Sequence, residues 1–227
     1  MTQVYAHRGR HDRHRENTVD AFRAAVALGV DGIELDVRRT ADGELVVHHD
    51  PHLEDGRNIV DVDAADLPDW LPTLDAALDA CKGVRTINLE IKNNVGDPDY
   101  DTEQLVARGM SDAIAARGLR DRIVVSSFDL DTIDFVHAAD PATRTAWLVF
   151  DAHEAIDTAV ERGHTGLNPF YGLVDQALLE RARAAGLTVV PWTVDDPERI
   201  AELARWGAHG VITNIPERAL EQLRSPG

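Results

Sequence analysis

Short apolar, β-branched runs alternate with longer Ala/Leu-rich windows along the whole 227-residue chain. Runs of the first kind read as buried strands and windows of the second kind as amphipathic helices. The spacing predicts strands over 4–8, 32–37, 85–91, 123–127, 145–149, 166–168, 188–193 and 210–213. Between them it predicts helices over 18–28, 73–80, 102–117, 130–138, 153–161, 175–185, 197–206 and 216–223. Asn17-Thr18, Pro72-Thr73, Asp129 and Asp195-Asp196-Pro197 are start signals, because a short polar side chain satisfies free N–H groups of a first turn. Gly29, Gly118, Gly163, Gly186 and Gly207 are stop signals. Strict alternation of strand and helix implies a parallel sheet. Eight such units point to an α/β fold of the (β/α)8 TIM-barrel type, one domain spanning 1–227, with a doubly wound open sheet as the alternative.

One stretch breaks the alternation. Asp42-Gly43 followed by Leu45-Val46-Val47 is a hairpin signal. It predicts a hairpin extension after strand 2 that folds over the barrel mouth, followed by a polar excursion over 51–71.

Charge narrows the functional classes. Forty acidic against 23 basic residues give a net charge of −17, a surface that repels nucleic acid and anionic lipid. No nucleic-acid partner and no stable membrane association are expected, and no apolar run is long enough to span a bilayer. The N-terminal residues lack an apolar signal region and Cys81 is the single cysteine, so a reducing, cytoplasmic location is expected. Nothing in the sequence sets the oligomeric state.

Alternation along the strands then places the chemistry. In Ile33-Glu34-Leu35-Asp36-Val37 the apolar residues share one face and the carboxylates the other; Asn88-Leu89-Glu90-Ile91-Lys92 repeats the pattern. Helices must cover the apolar face, so Glu34, Asp36, Glu90 and Lys92 point into the barrel mouth. Three carboxylates in one cavity repel each other unless a cation neutralises them. An all-oxygen set suits one divalent cation, Mg²⁺, Ca²⁺ or Mn²⁺. His7 ends strand 1 and His49 ends the hairpin; a pair of imidazoles at one site suits general acid–base work. His48 points away from its neighbour and reads as structural. His11, His14 and His52 lie in polar stretches and read as solvated. Arg8 and Lys92 supply positive charge for a phosphate, and Gly9 permits close backbone approach.

In order along the chain, His7-Arg8-Gly9, Glu16-Asn17-Thr18, Glu34-Leu35-Asp36-Val37, Asp42-Gly43, His49-Asp50, Glu90-Ile91-Lys92, Ser127-Phe128, Trp192-Thr193 and Thr213-Asn214-Ile215-Pro216 resemble the glycerophosphodiester phosphodiesterase family. The resemblance implies a TIM barrel that hydrolyses a small-molecule glycerophosphodiester to glycerol 3-phosphate and an alcohol. It implies His7 and His49 as acid and base, and Glu34, Asp36 and Glu90 as metal ligands. Arg8 and Lys92 would contact phosphate, with Phe128 and Trp192 on the glycerol side. The family's chemistry admits the glycerol 2-hydroxyl as nucleophile, with a cyclic phosphate that water then opens. Arg15 stands where Pro usually precedes Glu-Asn-Thr, and Asn214 where Asp is common. Residues 10–15 are unusually basic, which suggests a supplement to the phosphate site. Two alternatives carry different predictions. A phospholipase D toxin-like lyase would stop at a cyclic phosphate, and an inactive barrel used as a binding module would have lost one of the five central residues.

Overall fold

The computed structural model describes residues 1–224. Strands β1 (Gln3–His7), β2 (Gly32–Arg39), β4 (Thr86–Ile91), β5 (Ile123–Ser127), β6 (Arg144–Val149), β7 (Gly166–Pro169), β8 (Thr188–Val189) and β9 (Gly210–Thr213) are parallel, in the spatial order β8-β7-β6-β5-β4-β2-β1-β9. Helices α1 (Val19–Leu28), α2 (Leu74–Ala80), α3 (Leu105–Arg117), α4 (Leu130–Ala139), α5 (Ala155–Glu161), α6 (Gln176–Ala184), α7 (Pro197–Trp206) and α8 (Pro216–Arg224) alternate with them. This is the predicted (β/α)8 barrel. The predicted hairpin is also present: β3 (Leu45–Val47) pairs antiparallel with the end of β2, Val37 opposite Val47.

Most boundaries fall within two residues of those expected; two elements depart further, each for a local reason. The strand predicted over 188–193 keeps a regular ladder only over Thr188–Val189, since Pro191 has no N–H to donate. The barrel is nevertheless drawn together there by backbone bonds from His209 N to Val189 O (3.0 Å), Ile212 N to Pro191 O (2.9 Å) and Val194 N to Ile212 O (2.9 Å). The helix predicted from Thr102 begins at Leu105. Asp101 caps it from outside, its Oδ2 accepting from Leu105 N at 2.7 Å, while Gln104 adopts the left-handed region at φ 59°.

The outward faces of the strands build the main core. Ile33, Leu35, Val37, Ile87, Leu89, Ile91, Ile123 and Val125 are all buried against the helix layer. The barrel floor is filled by the ring of Tyr5 with Val190 and Ile212. Gly32 and Gly210 leave room for that ring: a Cβ at Gly32 would stand 2.4 Å from Tyr5 Cδ1. The polar inward groups of β2 and β4 lie beyond this cluster, towards the C-terminal ends of the strands.

Candidate active site

Register aligns the inward side chains in layers. His7 lies opposite Glu34 and Glu34 opposite Asn88; one step higher, Asp36 lies opposite Glu90. Glu34, Asp36 and Glu90 consequently converge, with one carboxylate oxygen from each within 4.8 Å of the others. All three are buried. His7, Arg8, Glu34, His49, Asn88, Glu90, Lys92, Phe128 and Trp192 line one cavity of about 110 Å³. The sequence-predicted residues are therefore brought together, Asp36 in contact with the cavity's two cations.

Those cations are engaged by the acids. Lys92 Nζ lies 2.5 Å from Glu90 Oε1 and 3.0 Å from Asp36 Oδ1. Arg8 holds Asp36 through Nε at 3.2 Å and Glu16 through Nη1 at 2.7 Å. Burial pushes the Asp36 carboxyl up, but Lys92 and Arg8 outweigh it and hold the group below the usual range. Lys92 is disfavoured as a cation by burial, and Glu90 and Asp36 reverse that and raise it. Glu34 has no such partner. Burial, then Asp36 and Glu90, raise it well above an ordinary carboxyl, and its Oε1 is buried without a hydrogen bond. Glu90 is also raised, by burial foremost, with Lys92 opposing. A set of hard oxygen donors with one acid short of positive charge fits a divalent cation.

Both imidazoles line the same cavity as this cluster. His7 Nε2 is 3.8 Å from Glu34 Oε2, and its Nδ1 is 2.7 Å from Asn214 Oδ1. Burial and the neighbouring Arg8 bring His7 down to about 4, so it is neutral at physiological pH. His49 acts electrostatically on Asp36 and Glu90, and its Nδ1 lies 2.7 Å from Asp50 Oδ1. His48 turns outward, its ring against Trp70 at 5.8 Å. Beyond His49 opens a second cleft of about 550 Å³, lined by Arg15, His48, Asp50, His52, Glu54 and Trp70 among others.

Several readings change. Gly9 is required by packing: at φ 85°, a Cβ there would lie 2.8 Å from the Ala21 backbone. His11 is not simply solvated, because its Nε2 reaches Asn214 Oδ1 at 3.1 Å. The basic loop splits. Arg10 is turned to Asp12 and Glu217, whereas Arg15 lies over Trp70 at 3.9 Å and lines the second cleft. Sequence reasoning read Asn17 only as a helix start and gave no site role to it or to Asn88; Asn17 Nδ2 donates to Asp36 Oδ2 at 2.7 Å. It also passed over Arg38, which is buried against Asp99 at 2.6 Å and donates twice to the His49 carbonyl, at 2.9 and 2.7 Å. Asn88 and Arg38 lie two residues from Glu90 and Asp36 on the same strand faces, so the alternation that found the acids also pointed to them.

The sequence matches the Glycerophosphoryl diester phosphodiesterase family over residues 7–218. The chain belongs to that family. A glycerophosphodiester phosphodiesterase of Caldanaerobacter subterraneus subsp. tengcongensis is 30% identical over 100% of this chain and 99% of its own. A crystal structure of a glycerophosphodiester phosphodiesterase from Parabacteroides distasonis superposes with a TM-score of 0.87 at 27% identity, covering 98% of this chain and 96% of that one. An Oleispira antarctica phosphodiesterase, solved with the product sn-glycerol-3-phosphate, shares the fold at 24% identity and a TM-score of 0.85, over 99% and 98% of the two chains. The family makes this chain a phosphoric diester hydrolase. Among the described residues, no helix is long and apolar enough to cross a membrane.

Proposed function

We propose that this chain hydrolyses a glycerophosphodiester to sn-glycerol 3-phosphate and an alcohol, with His7 and His49 exchanging protons and one divalent cation held by Glu34, Asp36 and Glu90. The observation that carries the reading is the convergence of three buried carboxylates beside two imidazoles lining one cavity. A bound Mg²⁺, Ca²⁺ or Mn²⁺ would supply charge stabilisation at the non-bridging phosphate oxygens.

The chain's own groups account for the rest. Arg8 and Lys92 add positive charge where the diester's anion must sit, against a molecule of net charge −17. His7, neutral and with Nε2 on the cavity side, takes the proton of the attacking hydroxyl. As the P–O bond to the alcohol breaks, protonated His49 gives its proton to the departing oxygen. With the glycerol 2-hydroxyl as the attacking group this leaves a cyclic phosphate. The roles then reverse, His49 taking a proton from the water that attacks phosphorus and His7 giving its proton back to the 2-oxygen as the ring opens. Phe128 and Trp192 meet edge to face at 5.4 Å and line the glycerol side. Trp192 is fixed by its Nε1–H donating to Asn168 O at 2.7 Å. The released alcohol lies in the cleft beyond His49, beside Arg15 and Trp70.

Phosphorus NMR on a panel of glycerophosphodiesters, with and without EDTA, tests this. The expected product is sn-glycerol 3-phosphate, formed only with metal present. His7→Ala and His49→Ala are each expected to reduce kcat by about 10²–10⁴. A cyclic phosphate as the final product would place the chain with the lyases instead. Full activity of both alanine variants would end the acid–base assignment.

A further inference from the structure

One side chain of the last strand–helix turn ties the mouth together from more than 200 residues away. Asn214 Oδ1 lies 2.7 Å from His7 Nδ1 and 3.1 Å from His11 Nε2. On its other side, Asn214 Nδ2 donates to Asp195 Oδ2 at 2.8 Å, and the Asn214 backbone N–H donates to Asp195 Oδ1, also at 2.8 Å. Thr213 Oγ1 donates to the same Asp195 oxygen at 3.1 Å and accepts from Ile215 N at 3.1 Å, which fixes the turn.

This network leaves one assignment of protons. A carboxylate only accepts, so the amide NH₂ of Asn214 must face Asp195 and its oxygen must face the imidazoles. An amide oxygen also only accepts. His7 must therefore present Nδ1–H to it, since an unprotonated Nδ1 at 2.7 Å would set lone pair against lone pair. By the same argument His11, whose Nε2 lies 3.1 Å from that oxygen, donates its Nε2–H to it. In neutral His7 the basic nitrogen is then Nε2, the atom 3.8 Å from Glu34 and on the cavity side.

We propose that Asn214, clamped by Asp195, is a positioning residue that locks His7 in its Nδ1–H tautomer and so presents Nε2 to the substrate. The inference rests on the proposed role of His7 as proton acceptor. An amide does this work without placing a carboxylate on His7, and Asp195 supplies the orientation that an amide, free to flip, would otherwise lack. The arrangement differs from that at His49, where Nδ1 meets the Asp50 carboxylate directly.

The test is ¹⁵N NMR of the histidine rings at pH 8, with His7 identified by the signal missing from His7→Ala. In the unaltered protein His7 is expected to carry its proton on Nδ1. In Asn214→Ala and Asp195→Ala the Nε2–H form should become populated. Their kcat should fall at least about tenfold with KM little changed, towards the 10²–10⁴ loss of His7→Ala. A proton on Nε2 of His7 in the unaltered protein overturns the proposal, and that measurement needs no variant to fold. So does full kcat in either folded variant. An inactive His7→Ala beside a fully active Asn214→Ala refutes the tautomer lock alone, whereas an active His7→Ala refutes the proposed function itself.

Discussion

His164 shows how a buried titratable group sets the pH range of the fold rather than of the reaction. From the turn between α5 and β7 it bridges α4 and β6, with Nε2 3.0 Å from Asp134 Oδ1 and Nδ1 2.9 Å from Thr145 Oγ1. Burial lowers its pKa below the ordinary 6.5, and Asp134 only partly restores it. Below pH 6.5 the unfolded chain takes up a proton that native His164 resists, so stability is full above that pH and declines as the pH falls. Urea midpoints between pH 8 and 5 should drop for the unaltered protein and drop less steeply for His164→Gln; equal slopes would exclude this histidine as a contributor. The residues of the mouth differ in how far they could be read from sequence. Glu34, Asp36 and Glu90 were legible because strand alternation assigns each to a face. Asn214 and His11 were not, because their bond joins residues 203 positions apart and no local pattern encodes it.

The elements that aim the proposed acid–base pair depend on a few buried polar contacts. Arg38, at the end of β2, is 2% exposed and pairs with Asp99, itself 5% exposed, while holding the His49 carbonyl. Removing one member of a buried pair leaves the other charge uncompensated, typically at about 3–5 kcal/mol. Arg38→Met is therefore expected to lower stability by about that amount and to reduce kcat through loss of the His49 anchor; a melting temperature and rate like those of the parent would contradict it. Strand β2 itself was plain in the sequence, as were the hairpin and seven further strands. The end of β8 was not, because Pro191 removes a ladder bond inside an otherwise strand-like run, and closure passes to irregular bonds with β9. The start of α3 was misplaced for a similar reason. Asp101 serves as the cap, and the periodic pattern does not reveal which polar residue upstream takes that role.

At the scale of the molecule, the mouth concentrates acid charge inside a protein that is already strongly acidic. A cation that binds the folded carboxylate set and not the unfolded chain raises stability by mass action, about 2.7 kcal/mol when present at 100 times its dissociation constant. Mg²⁺, Ca²⁺ or Mn²⁺ should accordingly raise the melting temperature in a concentration-dependent way, reversed by EDTA and lost in Glu34→Gln; an unchanged melting curve would deny the site a metal of useful affinity. The fold class was readable because eight strand–helix units leave few arrangements that bury every apolar face. The distribution of charge within the mouth was not, since it depends on which acids Arg8 and Lys92 reach across strands. The most direct measurement is anomalous diffraction from a crystal soaked in Mn²⁺. A single strong peak between Glu34, Asp36 and Glu90 is predicted. No peak there, in crystals of protein that cleaves diesters with EDTA present, would contradict the account.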